Sequence, residues 1–258
     1  MHMHIFSVKA VIGWLGMKRV LAGILVFDMV MGMLCLMVGI KQEERAKQWE
    51  IHEETTSDSR EAAAGSVVCE EEEVAKKIAL TFDDGPHPKY TEQLLDGLKE
   101  RNVTVTFFVT GENAQNYPDI IRREQEEGHL IGNHTYSHIQ LTSRNRETFR
   151  EELVKTNEIL EDITGEKVSF VRPPYGSWDK SFEKELNMFP VLWNIDPLDW
   201  CSHNAECIAA KVVEKAGDGD IILMHDYYDT SVTAALEVVD ALQKKGFQFV
   251  TVEEILFD

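Results

Sequence analysis

Positive charge is scarce in this chain: 26 Lys and Arg stand against 45 Asp and Glu, a formal net charge of −19 in 258 residues. The first 45 residues carry +2, so the rest carries −21. Such an acidic field repels polyanions, which excludes nucleic acid as a partner and leaves neutral polymers open. Cysteine is nearly missing too. Cys35, Cys69, Cys201 and Cys207 are too few for a disulfide scaffold, and their spacing is not that of a thiolate zinc site. Cys201 and Cys207 are near enough to pair, with two ordinary thiols as the equal alternative. No internal repeat is present, and no glycine-rich dinucleotide fingerprint follows the first apolar strand, which excludes a solenoid and argues against an open nucleotide-binding sheet.

Long apolar runs are limited to one. From Val20 to Ile40 the chain is apolar except for Asp28, long enough to cross a bilayer as a helix, and one carboxylate at that depth costs only about 3 kcal/mol. Lys18 and Arg19 precede it, so the positive-inside bias keeps residues 1–19 in the cytoplasm and sends the remainder outside. No small-residue cleavage site closes the run, which therefore reads as an uncleaved membrane anchor. Met17-Lys18-Arg19 has the look of the natural start. Residues 41–76 are polar and acidic without apolar periodicity, a tether between the anchor and a domain at 77–258.

That domain alternates short apolar runs with amphipathic segments. Strands are expected at Ile78–Phe82, Val103–Val109, Leu130–Asn133, Ser169–Val171, Val191–Ile195, Asp220–Met224 and Gln248–Val252. Helices are expected at Thr91–Glu100, Pro118–Glu126, Thr148–Ile163, Lys180–Asn187, Ala205–Lys215 and Ser231–Lys245, the first capped by Thr91 and the third stopped by Gly165. Seven such α/β units predict a distorted (β/α) barrel of about seven parallel strands.

Polar residues gather at one end of these strands. Asp83 and Asp84 close the first, His134 and His138 follow the third, Arg172 the fourth, Asp196 and Asp199 the fifth, and His225 and Asp226 the sixth. In a parallel barrel the carboxyl ends share one mouth, so residues over a hundred positions apart meet there. Histidines four apart suit a divalent metal if a helical turn presents them together. Asp84 would complete a three-ligand set suited to zinc, with cobalt, nickel or manganese as alternatives. Asp83, on the opposite side of the chain, is left to take a proton from a water that such an ion acidifies. His225 is the candidate acid for the leaving group. His87 on the rim, His129 at the far end and His203 in a polar loop are weaker choices.

The segments Thr81-Phe82-Asp83-Asp84-Gly85-Pro86, His134-Thr135-Tyr136-Ser137-His138, Arg172-Pro173-Pro174-Tyr175-Gly176, Asp196-Pro197-Leu198-Asp199-Trp200 and Leu223-Met224-His225-Asp226 together resemble the five ordered motifs of the polysaccharide deacetylases, the NodB-homology carbohydrate esterases. The resemblance implies a metal-dependent hydrolase of linear amides that removes acetyl groups from glycan. It implies Asp83 as base, Asp84, His134 and His138 as metal ligands, and Arg172 as the group orienting the base. It further implies the Tyr175 amide as oxyanion donor, Asp199 as the partner of His225, and Trp200, Leu223 and Pro173 with Tyr175 as substrate contacts. With the anchor, it implies a monomeric single-pass membrane protein whose extracytoplasmic domain faces peptidoglycan N-acetylglucosamine. Chitin oligomers, N-acetylmuramic acid and acetylxylan are rivals within the same chemistry, and a non-catalytic glycan-binding module is the rival of another class.

Overall fold

A computed structural model of the chain describes residues 75–257. The expected anchor, most of the tether, Cys35 and Cys69 lie outside them, and no helix among the described residues is long and apolar enough to cross a membrane. Seven strands form one sheet, β1 (Lys76–Asp83), β2 (Thr106–Val109), β3 (Leu130–Asn133), β4 (Phe170–Val171), β5 (Phe189–Pro190), β6 (Asp220–His225) and β7 (Phe247–Phe249). Their order is β5-β4-β3-β2-β1-β6, with β7 also on β1, and every pairing is parallel. Just past β5, Ile195 bridges Ile222 of β6 in parallel, so the sheet curls back towards its other edge.

Alternation along β1 decides what faces where. Ile78, Leu80 and Phe82 join the large core that the helices cover, whereas Ala79 joins a smaller cluster with Phe108, Phe170 and Val191. Thr81 and Asp83 follow Ala79 in register, which turns the Asp83 carboxylate onto that second face. The outer layer comprises α1 (Tyr90–Glu100), α2 (Gly111–Asn116), α3 (Pro118–Glu126), α4 (Arg146–Thr164), α5 (Ser181–Leu186), α6 (Ala205–Lys215), α7 (Asp229–Lys244) and α8 (Val252–Phe257). Phe82 and Phe107 are fully buried and stack at 5.5 Å between centroids, each worth about 1.5–3 kcal/mol on burial. Gly165, at φ 73°, ends α4 in the left-handed turn that its lack of a Cβ permits.

The expected strand at Val191–Ile195 is replaced by β5 at Phe189–Pro190. The carbonyls of Val191 and Leu192 are taken by the Arg172 guanidinium, and of the rest only Ile195 returns to a ladder. The last strand is shorter than expected because Thr251 and Glu254 form a reciprocal cap that starts α8. Thr91 does not cap α1. That position belongs to Lys89, and Thr91 lies buried inside the helix. Cys201 and Cys207 are both exposed free thiols.

Candidate active site

Asp83 is 4% exposed, and its Oδ1 accepts a 2.8 Å bond from Arg172 Nη1. Arg172 is entirely buried and spends its other donors on Thr81 Oγ1 and on the Val191 and Leu192 carbonyls, with its guanidinium 4.2 Å from the Phe108 ring centroid. A guanidinium held on five sides has one orientation, and that orientation fixes the carboxylate.

Asp84 leaves the strand at φ 75° and turns towards two imidazoles. Its Oδ1 is buried with no hydrogen-bond partner and lies 3.5 Å from Nε2 of both His134 and His138. One ligand atom from each of these three residues lies within 4.8 Å of the others. On its far side His134 places Nδ1 2.6 Å from the Arg172 carbonyl, which only accepts, so Nδ1 carries the proton and Nε2 points its lone pair inward. A lone pair and a carboxylate converging on one point suit a cation, and these three residues could hold a divalent metal. Burial would raise the Asp84 carboxyl, but the imidazoles around it, His134 first and then His138 and His225, outweigh it and hold it at about 2. Burial pulls His138 down, towards the neutral form that binds metal.

His134 and His138 are not on a helical turn, as their spacing predicts, but on an irregular loop after β3. Glu152 of α4 organises that loop by accepting from the Tyr136 and Ser137 N–H groups and from Ser137 Oγ. Asn133 ties its start to the Leu153 carbonyl and Asn157. Asp84, Thr135, His138, Tyr175 and Leu198, all in the five motif segments, have positive φ without being glycine. Each costs about 1–3 kcal/mol, and such backbone strain collects where a site is being shaped.

Across the mouth, His225 Nε2 is 4.0 Å from Asp84 Oδ2. Its Nδ1 lies 2.9 Å from Asp199 Oδ1 while its backbone N–H donates to Asp199 Oδ2, so one buried carboxylate grips both the ring and the chain. Burial works against the charged ring, but the bond to Asp199 and the charges of Asp199, Asp83 and Asp84 prevail and lift His225 to about 9. Tyr175 sits in a short 3-10 turn closed by the Gly176 and Ser177 N–H groups, which does not use its own amide. The Tyr175 ring stands edge-on to His138 at 5.1 Å. Trp200 and Tyr175 are exposed on the rim, whereas Leu223 and Pro173 are buried behind it. His87 lies on the rim as well. His129 is buried and accepts from the Val105 N–H, and His203 is exposed in its loop.

Sequence reasoning gave Asp226 no task. It is fully buried beside His225, accepts from Thr91 Oγ1, and packs so closely on Gly85 that a Cβ there would overlap its carboxylate. Thr91 in turn accepts from the His87 N–H. The turn carrying Asp83 and Asp84 is thereby fastened to the strand carrying His225. The glycine after the paired acids was the available signal.

The polysaccharide deacetylase family model matches residues 70–191. The chain is 42% identical over 180 residues to the peptidoglycan-N-acetylmuramic acid deacetylase PdaC of Bacillus subtilis, covering 70% of this chain and 38% of that protein. It is 41% identical over 182 residues to a peptidoglycan-N-acetylglucosamine deacetylase of Bacillus cereus, covering 68% and 66%. The chain thus spans less than two thirds of the length of either relative. The solved structure of PdaC from Bacillus subtilis superposes with a TM-score of 0.69 over 71% of this chain and 91% of that one, at 42% identity. A fold and a sequence shared across nearly all of a solved relative agree with the motifs gathered at the barrel mouth, and this chain belongs to the polysaccharide deacetylase family.

Proposed function

We propose that this chain hydrolyses the acetamide of N-acetylated glycan, with peptidoglycan N-acetylglucosamine as substrate, and that Asp84, His134 and His138 hold zinc. When bound, the ion supplies Lewis-acid polarisation of the acetyl carbonyl and lowers the pKa of the attacking water. Asp83 accepts that water's proton, aimed by the Arg172 guanidinium. The Tyr175 amide donates to the oxygen on which negative charge develops, a contact that gains most in the transition state. His225 gives its proton to the departing nitrogen as the C–N bond breaks, leaving acetate and a free amine. Trp200, Leu223 and Pro173 wall the acetyl group.

The observation that carries this reading is the pairing of two carboxylates with different partners, Asp83 on a buried arginine and Asp84 between two imidazoles. A glycan-binding module has no use for the first. We place the protein, as a monomer, in the cell membrane with this domain outside, on the strength of the Val20–Ile40 run and the Lys18-Arg19 pair before it. The relatives' names divide between N-acetylglucosamine and N-acetylmuramic acid, so the test compares substrates. The detergent-solubilised, zinc-loaded full chain is incubated with peptidoglycan, chitin oligomers and acetylxylan, and acetate is measured together with the newly freed amino sugar. Glucosamine from peptidoglycan is expected. Free muramic acid would reassign the sugar, and acetate from none of the three would refute the activity.

A further inference from the structure

Beyond the hydrolytic residues, the mouth carries a run of aromatic rings that starts at Tyr90, packed against the core, and ends at two tyrosines to which the chemistry gives no role. Tyr227 and Tyr228 directly follow the His225-Asp226 end of β6, and both are exposed, at 40% and 45%. Two adjacent tyrosine rings, each partly open to solvent at the mouth, offer apolar faces with polar tips on which a ligand can lie. They are also braced. Tyr228 meets Tyr227 edge-on at 6.0 Å, Tyr227 meets His87 edge-on at 4.9 Å, and His87 stacks on Tyr90 at 4.5 Å. His87 is itself pinned, because its Nδ1 accepts from the Lys89 and Tyr90 N–H groups while its own N–H donates to Thr91 Oγ1. Burial, with the Lys89 charge, lowers the His87 pKa and favours the neutral ring, whose Nδ1 is free to accept those bonds.

The two tyrosines line a groove of about 390 Å³ together with Asp84 and His138 of the metal set and with Glu112 and Asn113 at the start of α2. That volume lies within the range of about 300–1,000 Å³ common for small-ligand sites. Asn113 donates to the Asp84 carbonyl, which fixes α2 against the metal-bearing turn. The groove therefore offers rigid aromatic faces and nearby polar acceptors in direct continuity with the reacting centre. A pyranose has the complementary surface, with an apolar C–H face to lie on a ring and hydroxyls around its edge to meet a carboxylate and an amide.

We propose that Tyr227 and Tyr228, braced by His87 and Tyr90, form a subsite for the sugar unit next to the one being deacetylated, with Glu112 and Asn113 receiving its hydroxyls. This rests on the deacetylase reading and extends it: remote units of the glycan supply binding energy that single sugars lack.

The test uses the full chain in detergent with zinc, and two substrates, an N-acetylglucosamine tetramer and the monosaccharide. In Tyr227→Ala, the ratio of kcat/KM for tetramer to that for monosaccharide should fall about tenfold, through KM, and the double variant with Tyr228→Ala should fall further. Tyr227→Phe keeps the ring and should restore the ratio. An unchanged ratio in Tyr227→Ala overturns the proposal. So does an equal loss of kcat on both substrates, which would mark a structural residue. A parallel calorimetric titration of tetramer into wild type and Tyr227→Ala separates the two levels of inference. If wild type releases no acetate yet binds tetramer more tightly than Tyr227→Ala, the activity fails and the subsite stands.

Discussion

Replacing Asp199 by Asn tests the acid half of the reaction, because the side chain keeps its shape and loses only its charge. Asp199 contacts His225 twice at 2.9 Å and is almost fully buried. His225 rises from an ordinary 6.5 to about 9 although burial alone would lower it, a difference worth about 3 kcal/mol in favour of the imidazolium. Asp199 is the largest of the groups that raise it. An acid must be protonated to act, so activity falls as pH rises through the His225 pKa. In Asp199→Asn the alkaline limb of the kcat/KM profile should move to lower pH by at least about one unit, and turnover at pH 8 should drop roughly ten- to a thousandfold. A bound metal ion acts on both proteins alike, so the difference between the two profiles isolates the carboxylate. Linkage gives a second readout. A folded-state pKa above the unfolded one contributes stability that is complete below about pH 6.5 and disappears as pH rises through about 9. The variant's deficit in melting temperature should therefore be larger at pH 6 than at pH 9.5. An alkaline limb that stays in place would refute both His225 as the acid and Asp199 as the source of its raised pKa.

Asp83→Asn should retain metal at wild-type stoichiometry and lose turnover by about three orders of magnitude, measured as acetate release; retained activity would remove Asp83 as the base. His134→Ala should lose metal along with activity, and a variant that still titrates with one zinc at wild-type affinity would contradict the ligand assignment. Glu124, on α3, is fully buried with both carboxylate oxygens unpartnered, and burial followed by the Asp226 charge pushes its pKa well above the usual range. Its drag on stability is absent below the unfolded value near 4.5 and grows as pH rises above it. Glu124→Met should therefore raise the melting temperature at pH 7 by a few degrees, for a gain of about 1–3 kcal/mol, and by less at pH 5; a lower melting temperature at pH 7 would show that the carboxylate has a partner.

Elements whose ends are chemically marked were legible in the sequence. Pro118 at the first turn of α3 and the Asn204 side chain, which accepts from the Cys207 N–H at the start of α6, set those helices where pattern reading put them. The gathering of Asp83, Asp84, His134, Arg172, Asp199 and His225 at one mouth was legible for a topological reason: parallel strands carry their carboxyl ends to the same side. The loop between His134 and His138 was not, because Glu152, which shapes it, lies on a different element and shows no local signature. The stretch at Val191–Ile195 reads as a strand by composition, but a buried guanidinium competes for its carbonyls. Helix α2, Gly-Glu-Asn-Ala-Gln-Asn, has no apolar period to announce it. The C-terminal helix did have a signal, the Thr251-Val252-Glu253-Glu254 cap, set within an apolar run that looked like continued strand.

Residue 172 acts through two separate parts of its covalent structure. Its side chain holds one carboxylate, and its main-chain oxygen fixes the tautomer of His134 on the loop that follows the neighbouring strand. Substitution at that codon removes only the first, since every amino acid brings a carbonyl. A mutational scan will therefore under-report this position: it registers the loss of proton transfer while metal affinity persists, although one peptide unit sets the geometry of both.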